Sequence, residues 1–177
     1  MAMLALDEKH RKHMFKPGFS SFTLLNEGKK DSDRLKVIDW LTKKLQSVMF
    51  NFNERLFQTQ ISDCQKICVV TKTLVDKTLF FLAHQVLGCL YMNLDLLPQA
   101  RQVFDLIKDV GEETRNWSQV IQAYDWIGRT LQLGHDYKNA CKAFKLMLQV
   151  AWATNVPEFE VKAFQRISKQ YFYLQNI

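Results

Sequence analysis

Residues 84–104 read HQVLGCLYMNLDLLPQARQVF, and residues 124–144, 40 positions later, read YDWIGRTLQLGHDYKNACKAF. The matching positions are Gly88 with Gly128, Ala100 with Ala140, and Phe104 with Phe144. A third copy begins at residues 164–171, FQRISKQY, where Ser168 takes the place of Gly128. A repeat of this length means that each unit cannot bury its apolar face alone and must stack on its neighbours. The repeat therefore favours a surface for holding partners over a catalytic pocket.

The composition indicates a globular, helical chain. Of the 177 residues, 47% are hydrophobic and 24% are charged, which excludes a disordered class. Only 6 glycines and 3 prolines are present, too few for a sandwich of many short strands. The net charge of +6 favours acidic partners over basic ones.

Apolar spacing and capping residues predict seven helices. The first helix follows residues 31–33 and ends near Asn53. The second begins at Ser62, which has capping-box spacing to Gln65, and it buries Ile67 and Val70. The remaining five are predicted at 77–94, from Pro98 to about 110, at 117–133, from 137 to about 153 and from 157 to about 174. The predicted N-cap residues are Asp76, Asn116 and Asp136, and Gly134 is predicted to stop a helix.

The recurring small residues predict close helix crossings. Two helices of one hairpin approach closely only where one side chain is small, so we expect Gly128 to face Ala140. Gly88 and Ser168 hold the same position in the other copies. We expect Phe104 and Phe144 to fill the space between successive hairpins. A bulky substitution at Gly128 should then be costly, because overpacking strains a tight core.

The repeated residues resemble the tetratricopeptide pattern W-x2-L-G-x2-Y followed by A-x3-F. The first copy reads His84-x2-Leu87-Gly88-x2-Tyr91 with Ala100-x3-Phe104, and the second reads Tyr124-x2-Ile127-Gly128-x2-Leu131 with Ala140-x3-Phe144. The chain is similar to tetratricopeptide repeat proteins over about residues 77–177. Its period of 40 rather than 34 resembles the subclass found in spindle-orientation G-protein regulators and axonemal scaffolds. The resemblance implies an all-α, right-handed superhelical solenoid of antiparallel helix hairpins.

The expected organisation has three parts. Residues 1–30 form a basic N-terminal arm, residues 31–76 a degenerate or capping helix pair, and residues 77–177 an array of two full repeats and a half repeat. Ile177 corresponds to Tyr137, the first residue of a second helix. We expect an exposed apolar face at Ile167, Tyr171 and Leu174, which favours membership of a longer chain or a larger complex.

No motif for catalysis, a cofactor or a metal was found. The chain lacks both glycine-rich phosphate-loop patterns, and Cys64 and Cys68 are interpreted as core residues rather than ligands. His84 is interpreted as a packing residue. Reduced cysteines, the lack of a signal peptide and the lack of a long apolar run predict a cytoplasmic protein. The resemblance implies a cytoskeletal or axonemal setting.

The resemblance also implies a binding groove lined by the first helix of each hairpin. The positions carried over as partner-binding residues are Gln85, Asn93, Gln122, Asp125, Arg129, Gln132, Lys162, Gln165, Lys169 and Tyr173. Arg129 and Lys169 would favour a partner segment that bears Asp or Glu, with the amides binding its backbone. The alternative is a nucleic-acid-binding helical repeat that uses the basic arm, residues 1–16.

Overall fold

The computed structural model describes residues 32–50, 57–72 and 77–175. Within these ranges it contains seven α-helices and no strand. The helices are α1 (Ser32–Phe50), α2 (Phe57–Lys72), α3 (Thr78–Asn93), α4 (Leu97–Glu113), α5 (Trp117–Leu133), α6 (Tyr137–Thr154) and α7 (Pro157–Gln175). The predicted basic arm and the predicted cap Asp76 lie outside the described residues.

The all-α prediction is confirmed, and the boundaries of α5 agree with the predicted 117–133. The predicted start of α2 is wrong, because the helix begins at Phe57 and Ser62 lies in its interior. Gln65 does not cap α2; its Nε2 donates to the Tyr91 hydroxyl at 2.8 Å. Val70, predicted to be buried, is 43% exposed. The buried face of α2 consists of Gln60, Cys64, Ile67, Cys68 and Thr71. Because this face includes polar residues, the apolar spacing in the sequence does not show which side of the helix is buried.

The turns between helices repeat every 20 residues. Among the described residues, four adopt positive φ: Asp95 (61°), Arg115 (54°), His135 (60°) and Asn155 (55°). The next N–H after each bonds a carbonyl five residues back: Leu96 to Tyr91 (2.9 Å), Asn116 to Gly111 (2.8 Å), Asp136 to Leu131 (2.9 Å) and Val156 to Ala151 (3.1 Å). This is the Schellman ending of a helix. Gly134, which was predicted to stop the helix, is the C-cap of α5 with φ −76°, and His135 takes the left-handed position.

Two of the predicted N-caps are confirmed. The Asn116 side chain accepts a hydrogen bond from the Gln119 N–H at 3.4 Å. The Asp136 carboxylate accepts one from the Asn139 N–H at 3.1 Å. Each bond satisfies a backbone N–H of the first helical turn for which the helix itself offers no carbonyl partner.

The described residues form two compact units, one ending at Leu96 and the other beginning at Leu97. In the first unit α2 packs on α3, and α1 contacts both. Leu41 and Leu45 of α1 and Cys64 of α2 are buried, and α3 is buried continuously from Leu79 to Leu90. A helix that is apolar on nearly all sides is held inside a core, which explains this burial.

In the second unit each helix packs on the next one along the chain, and α5 also contacts α7 directly. The fully buried large side chains of this unit include Phe104, Ile107, Ile121, Phe144 and Met147. This sequential packing is compatible with a helical repeat.

Gly128 faces Phe144 rather than Ala140, which corrects the expected crossing between α5 and α6. A Cβ atom built on Gly128 would lie 2.6 Å from Cζ and 2.8 Å from Cδ1 of the Phe144 ring. Phe144 therefore packs on α5 within its own predicted hairpin, and its core cluster also includes Ala163 of α7. Phe104 does stack on the next helix, with its ring parallel to Trp126 at a centroid distance of 5.6 Å.

Candidate interaction surface on helices α5 and α7

The ten residues predicted to bind a partner fall into two groups. Gln85 and Asn93 lie on α3 in the first unit, where Gln85 is buried and Asn93 Nδ2 donates to the Cys89 carbonyl at 2.8 Å. The other eight lie in the second unit, with Gln122, Asp125, Arg129 and Gln132 on α5 and Lys162, Gln165, Lys169 and Tyr173 on α7.

A buried carboxylate joins α5 to α7. Asp125 is 2% exposed, and its Oδ1 accepts from Arg166 Nε at 2.8 Å. Its Oδ2 lies 2.9 Å from Lys162 Nζ and 3.9 Å from Arg129 Nη1. Lys162 and Arg166 stand one turn apart on α7, so both reach the same carboxylate. Asp125 is therefore a structural anchor of this surface.

The cluster around Asp125 carries more positive than negative charge. Burial opposes ionisation of the carboxyl, but Arg166, Lys162 and Arg129 outweigh that effect and lower the pKa of Asp125. Lys162 and Arg166 share this one carboxylate, so their combined charge exceeds that of Asp125 by one. Lys162 is 41% exposed and Arg166 23% exposed at the side chain, so this surplus is open to an anionic ligand.

Arg129 is held inward rather than extended into solvent. It is 9% exposed, and its guanidinium carbon lies 4.1 Å from the centroid of the Trp126 ring. Arg166, which the sequence prediction missed, supplies a more exposed guanidinium. Arg166 is 40 residues after Trp126, so the repeat predicts an inward position for its side chain. Its spacing of four from Lys162 is the signal that could have found it.

A second polar bridge connects the same two helices. Gln170 is fully buried, and its Nε2 donates to Gln132 Oε1 at 2.9 Å and to the Arg166 carbonyl at 3.3 Å. Gln132 was predicted to bind a partner, whereas Gln170 was not singled out. The two glutamines fix the spacing of α5 and α7 next to the charged cluster.

The exposed end of the surface carries a lysine and an aromatic ring. Lys169 Nζ lies 5.6 Å from the centroid of Tyr173, whose ring stacks on Tyr137 at 4.8 Å. Gln165 is exposed on the same helix. Lys169, Gln165, Lys162 and Arg166 therefore form a row of exposed or half-buried donors along α7, which we call the α7 donor row.

A separate groove lies between α4, α5 and α6. Its volume is about 330 Å³, and it is lined by Arg101, Tyr124, Ile127, Leu131, Asn139, Lys142, Ala143 and Leu146. These lining residues include no cysteine, histidine or carboxylate, the groups on which nucleophilic and acid–base chemistry usually depends. Arg101 is already paired with Asp105 at 2.8 Å.

The four cysteines are buried and free, in agreement with their interpretation as core residues. The Cys64 thiol donates to the Ala83 carbonyl at 3.3 Å. A hydrogen bond with Cys68 raises the pKa of Cys64. The same hydrogen bond, together with His84, lowers the pKa of Cys68 to about 6 against the effect of burial. Among the residues that the structure describes, no three His, Cys, Asp or Glu side chains are placed to bind a metal ion.

No protein-family model matches the chain, and no curated protein matches it either. None of the described helices combines the length and the apolar character that a membrane span requires.

Proposed function

We propose that the chain is a protein–protein interaction scaffold of the tetratricopeptide type, without catalytic activity, whose α5–α7 surface binds an acidic segment of a partner. Sequential packing and the turns spaced by 20 residues support a repeat built from equal helices. The contacts between α6 and α7 run in opposite sequence order, with Trp152 beside Glu160 and Tyr137 beside Tyr173. This order supports antiparallel packing of the second helix of one repeat on the first helix of the next.

The contacts between α5 and α7 run in the same sequence order. Asp125 pairs with Arg166, and Gln132 pairs with Gln170 further along both helices. This order supports parallel first helices of successive repeats, which in tetratricopeptide arrays line the binding groove. The α7 donor row stands along this groove.

The surplus of positive charge that Lys162 and Arg166 together carry over Asp125 is the observation that carries the proposal. A partner carboxylate about 4 Å from one of these cations would gain up to ~4 kcal/mol in a partly desolvated groove and about 1 kcal/mol in open water. Guanidinium groups bind carboxylates through two parallel hydrogen bonds, and amide side chains such as Gln165 can bind an extended backbone. An Asp- or Glu-rich segment is therefore the best-matched ligand.

The test is a binding titration with a fluorescein-labelled octaglutamate peptide, followed by anisotropy. We expect saturable binding that weakens as salt increases, because exposed charges are screened. Lys169→Glu should weaken binding, since it reverses an exposed charge of the α7 donor row. Lys138→Glu is the matched control, because Lys138 is also exposed but lies in the first turn of α6. Equal weakening by both variants would mean that only the net charge matters and would contradict the proposal.

The nucleic-acid alternative depends on the basic arm, which lies outside the described residues. Titration with a single-stranded RNA, with and without residues 1–16, separates it from the scaffold proposal. A place in a ciliary or cytoskeletal assembly is likewise a proposal, and it depends only on the resemblance of the repeat period.

A further inference from the structure

The outward face of α7 is apolar and exposed. Its large side chains are Val161 (59% exposed), Phe164 (53%), Tyr171 (46%) and Leu174 (40%). Ile167, which was predicted to belong to this face, is half-buried and packs on the core formed with α6. Contiguous exposed apolar side chains mark interaction sites more often than single ones do.

The internal repeat shows what covers such a face. Forty residues earlier on α5, the equivalents of Val161, Phe164, Ser168 and Tyr171 are Ile121, Tyr124, Gly128 and Leu131. Helix α6 covers these α5 residues, so that Ile121 is fully buried and Tyr124 and Leu131 pack in the same cluster as Phe144. The Phe144 ring lies over Gly128, where no side chain blocks it. The α7 face is thus the continuation of the interface that α6 makes on α5.

We propose that this face of α7 binds an amphipathic helix of a partner protein. The partner helix would carry the pattern that α6 presents to α5, namely Ala140, Phe144 and Met147: a small residue, an aromatic residue four positions later and an apolar residue three positions after that. Ser168 carries the Cβ atom that Gly128 lacks, so the partner's aromatic ring would lie beside Ser168 rather than over it, as the Phe144 ring lies over Gly128. The Ser168 hydroxyl already donates to the Gln165 carbonyl at 3.1 Å. The serine can therefore be covered without losing a hydrogen bond.

The described helices of a second copy do not match this requirement. Within the described residues the pattern occurs at Ala100 with Phe104 and at Ala140 with Phe144, and all four residues are fully buried in the chain's own core. The partner must therefore supply a helix whose apolar face is not already used. Lys145 lies at one edge of the α7 face, where its Nζ donates to the Tyr171 hydroxyl at 2.9 Å, so an acidic residue at the matching edge of the partner helix would fit.

The probe is a fluorescein-labelled synthetic peptide with the sequence of residues 137–154, because α6 is the known occupant of the equivalent face. We expect saturable binding to the full chain by anisotropy. Phe144→Ala in the peptide should weaken binding about ten-fold or more, since it removes the ring that enters the space beside Ser168. Phe164→Ser in the protein should weaken it similarly, whereas Trp117→Ser, at an exposed aromatic in the first turn of α5, should not.

Ser168→Phe is a second variant, whose new side chain occupies the space proposed for the partner's ring. Because Ser168 is exposed, the variant should keep the circular dichroism spectrum of the natural chain while it abolishes peptide binding. Three results would overturn the proposal. The first is that the peptide does not bind the folded chain saturably. The second is that neither α7 substitution changes peptide binding. The third is that the chain forms a dimer that Phe164→Ser dissociates. The last result would make a second copy the occupant. None of these results depends on the acidic peptide, so the two proposals fail separately.

Discussion

Gly128→Ala tests the closest helix crossing in the second unit. Gly128 lies in the middle of α5 and faces the ring of Phe144, which is fully buried. An added Cβ would lie 2.6 Å from Cζ and 2.8 Å from Cδ1, distances that real Cβ atoms do not adopt. The contact is with the edge of a rigid ring, so either the ring or the helix must move.

The expected cost follows from two opposing effects. Overpacking of a dense core costs about 1–3 kcal/mol. Replacing a glycine inside a helix with alanine returns about 1 kcal/mol of helix propensity. Because Phe144 is enclosed on all sides, the overpacking cost should be near its upper end, which leaves a net loss of about 2 kcal/mol. For a chain of this size that loss lowers Tm by ~4–8 °C.

The assay is thermal unfolding followed by circular dichroism, with Gly134→Ala as the matched control. Gly134 has φ −76°, and its added Cβ would meet Leu97 Cδ1 at an ordinary 3.5 Å. This control should be neutral or up to about 1 kcal/mol more stable. Phe144→Leu combined with Gly128→Ala should recover part of the loss, with a coupling energy of about 1 kcal/mol. A Gly128→Ala chain as stable as the natural sequence would refute the described crossing of α5 and α6.

Three further predictions concern charge, capping and the thiols. Asp125→Asn should lower the free energy of unfolding at pH 7 by about 2 kcal/mol, because three cations lose the carboxylate that they contact. The folded-state pKa of Asp125 is lowered, so this difference is present above about pH 4 and is lost as pH falls through the folded pKa. Urea titrations across this pH range measure the difference. Asn116→Ala and Asp136→Ala should each cost about 1 kcal/mol in the same urea titrations, because each removes an N-cap bond. The folded chain should show a thiolate ultraviolet absorbance with a midpoint near pH 6 that Cys68→Ser removes, since the pKa of Cys68 is lowered to about 6.

Much of the fold could be predicted because the repeat fixes the phase of its helices. Gly88 and Gly128 set the register of two copies, and the boundaries of α5, α6 and α7 then agree with the prediction to within a residue or so. Asn116 and Asp136 could be identified as caps because capping depends on local chemistry alone.

The incorrect predictions for α2 concern features that its local sequence does not determine. The start of α2 was misplaced because the spacing of Ser62 and Gln65 suits a helix surface as well as a capping box. Val70 was placed inward because the true inward stripe of α2 contains the polar residues Gln60 and Thr71.

The candidate site was predicted as a set of positions but not as a network. Asp125, Arg129 and Lys162 were identified individually, but the repeat gave no indication that one carboxylate would gather three cations. Arg166 and Gln170 were missed because their equivalents on α5, Trp126 and Thr130, are buried residues. A contact between helices 40 residues apart depends on tertiary packing, which a single sequence does not specify.

The measurement that tests the central claim most directly is NMR chemical-shift mapping of the full chain during titration with the octaglutamate peptide. We predict saturable shifts that include Gln165, Arg166 and Lys169 on α7 and Gln132 on α5, with Lys138 on α6 unaffected. Shifts spread over exposed lysines without saturation, or saturable shifts confined to other helices, would contradict the proposal that α5 and α7 form a binding surface for an acidic segment.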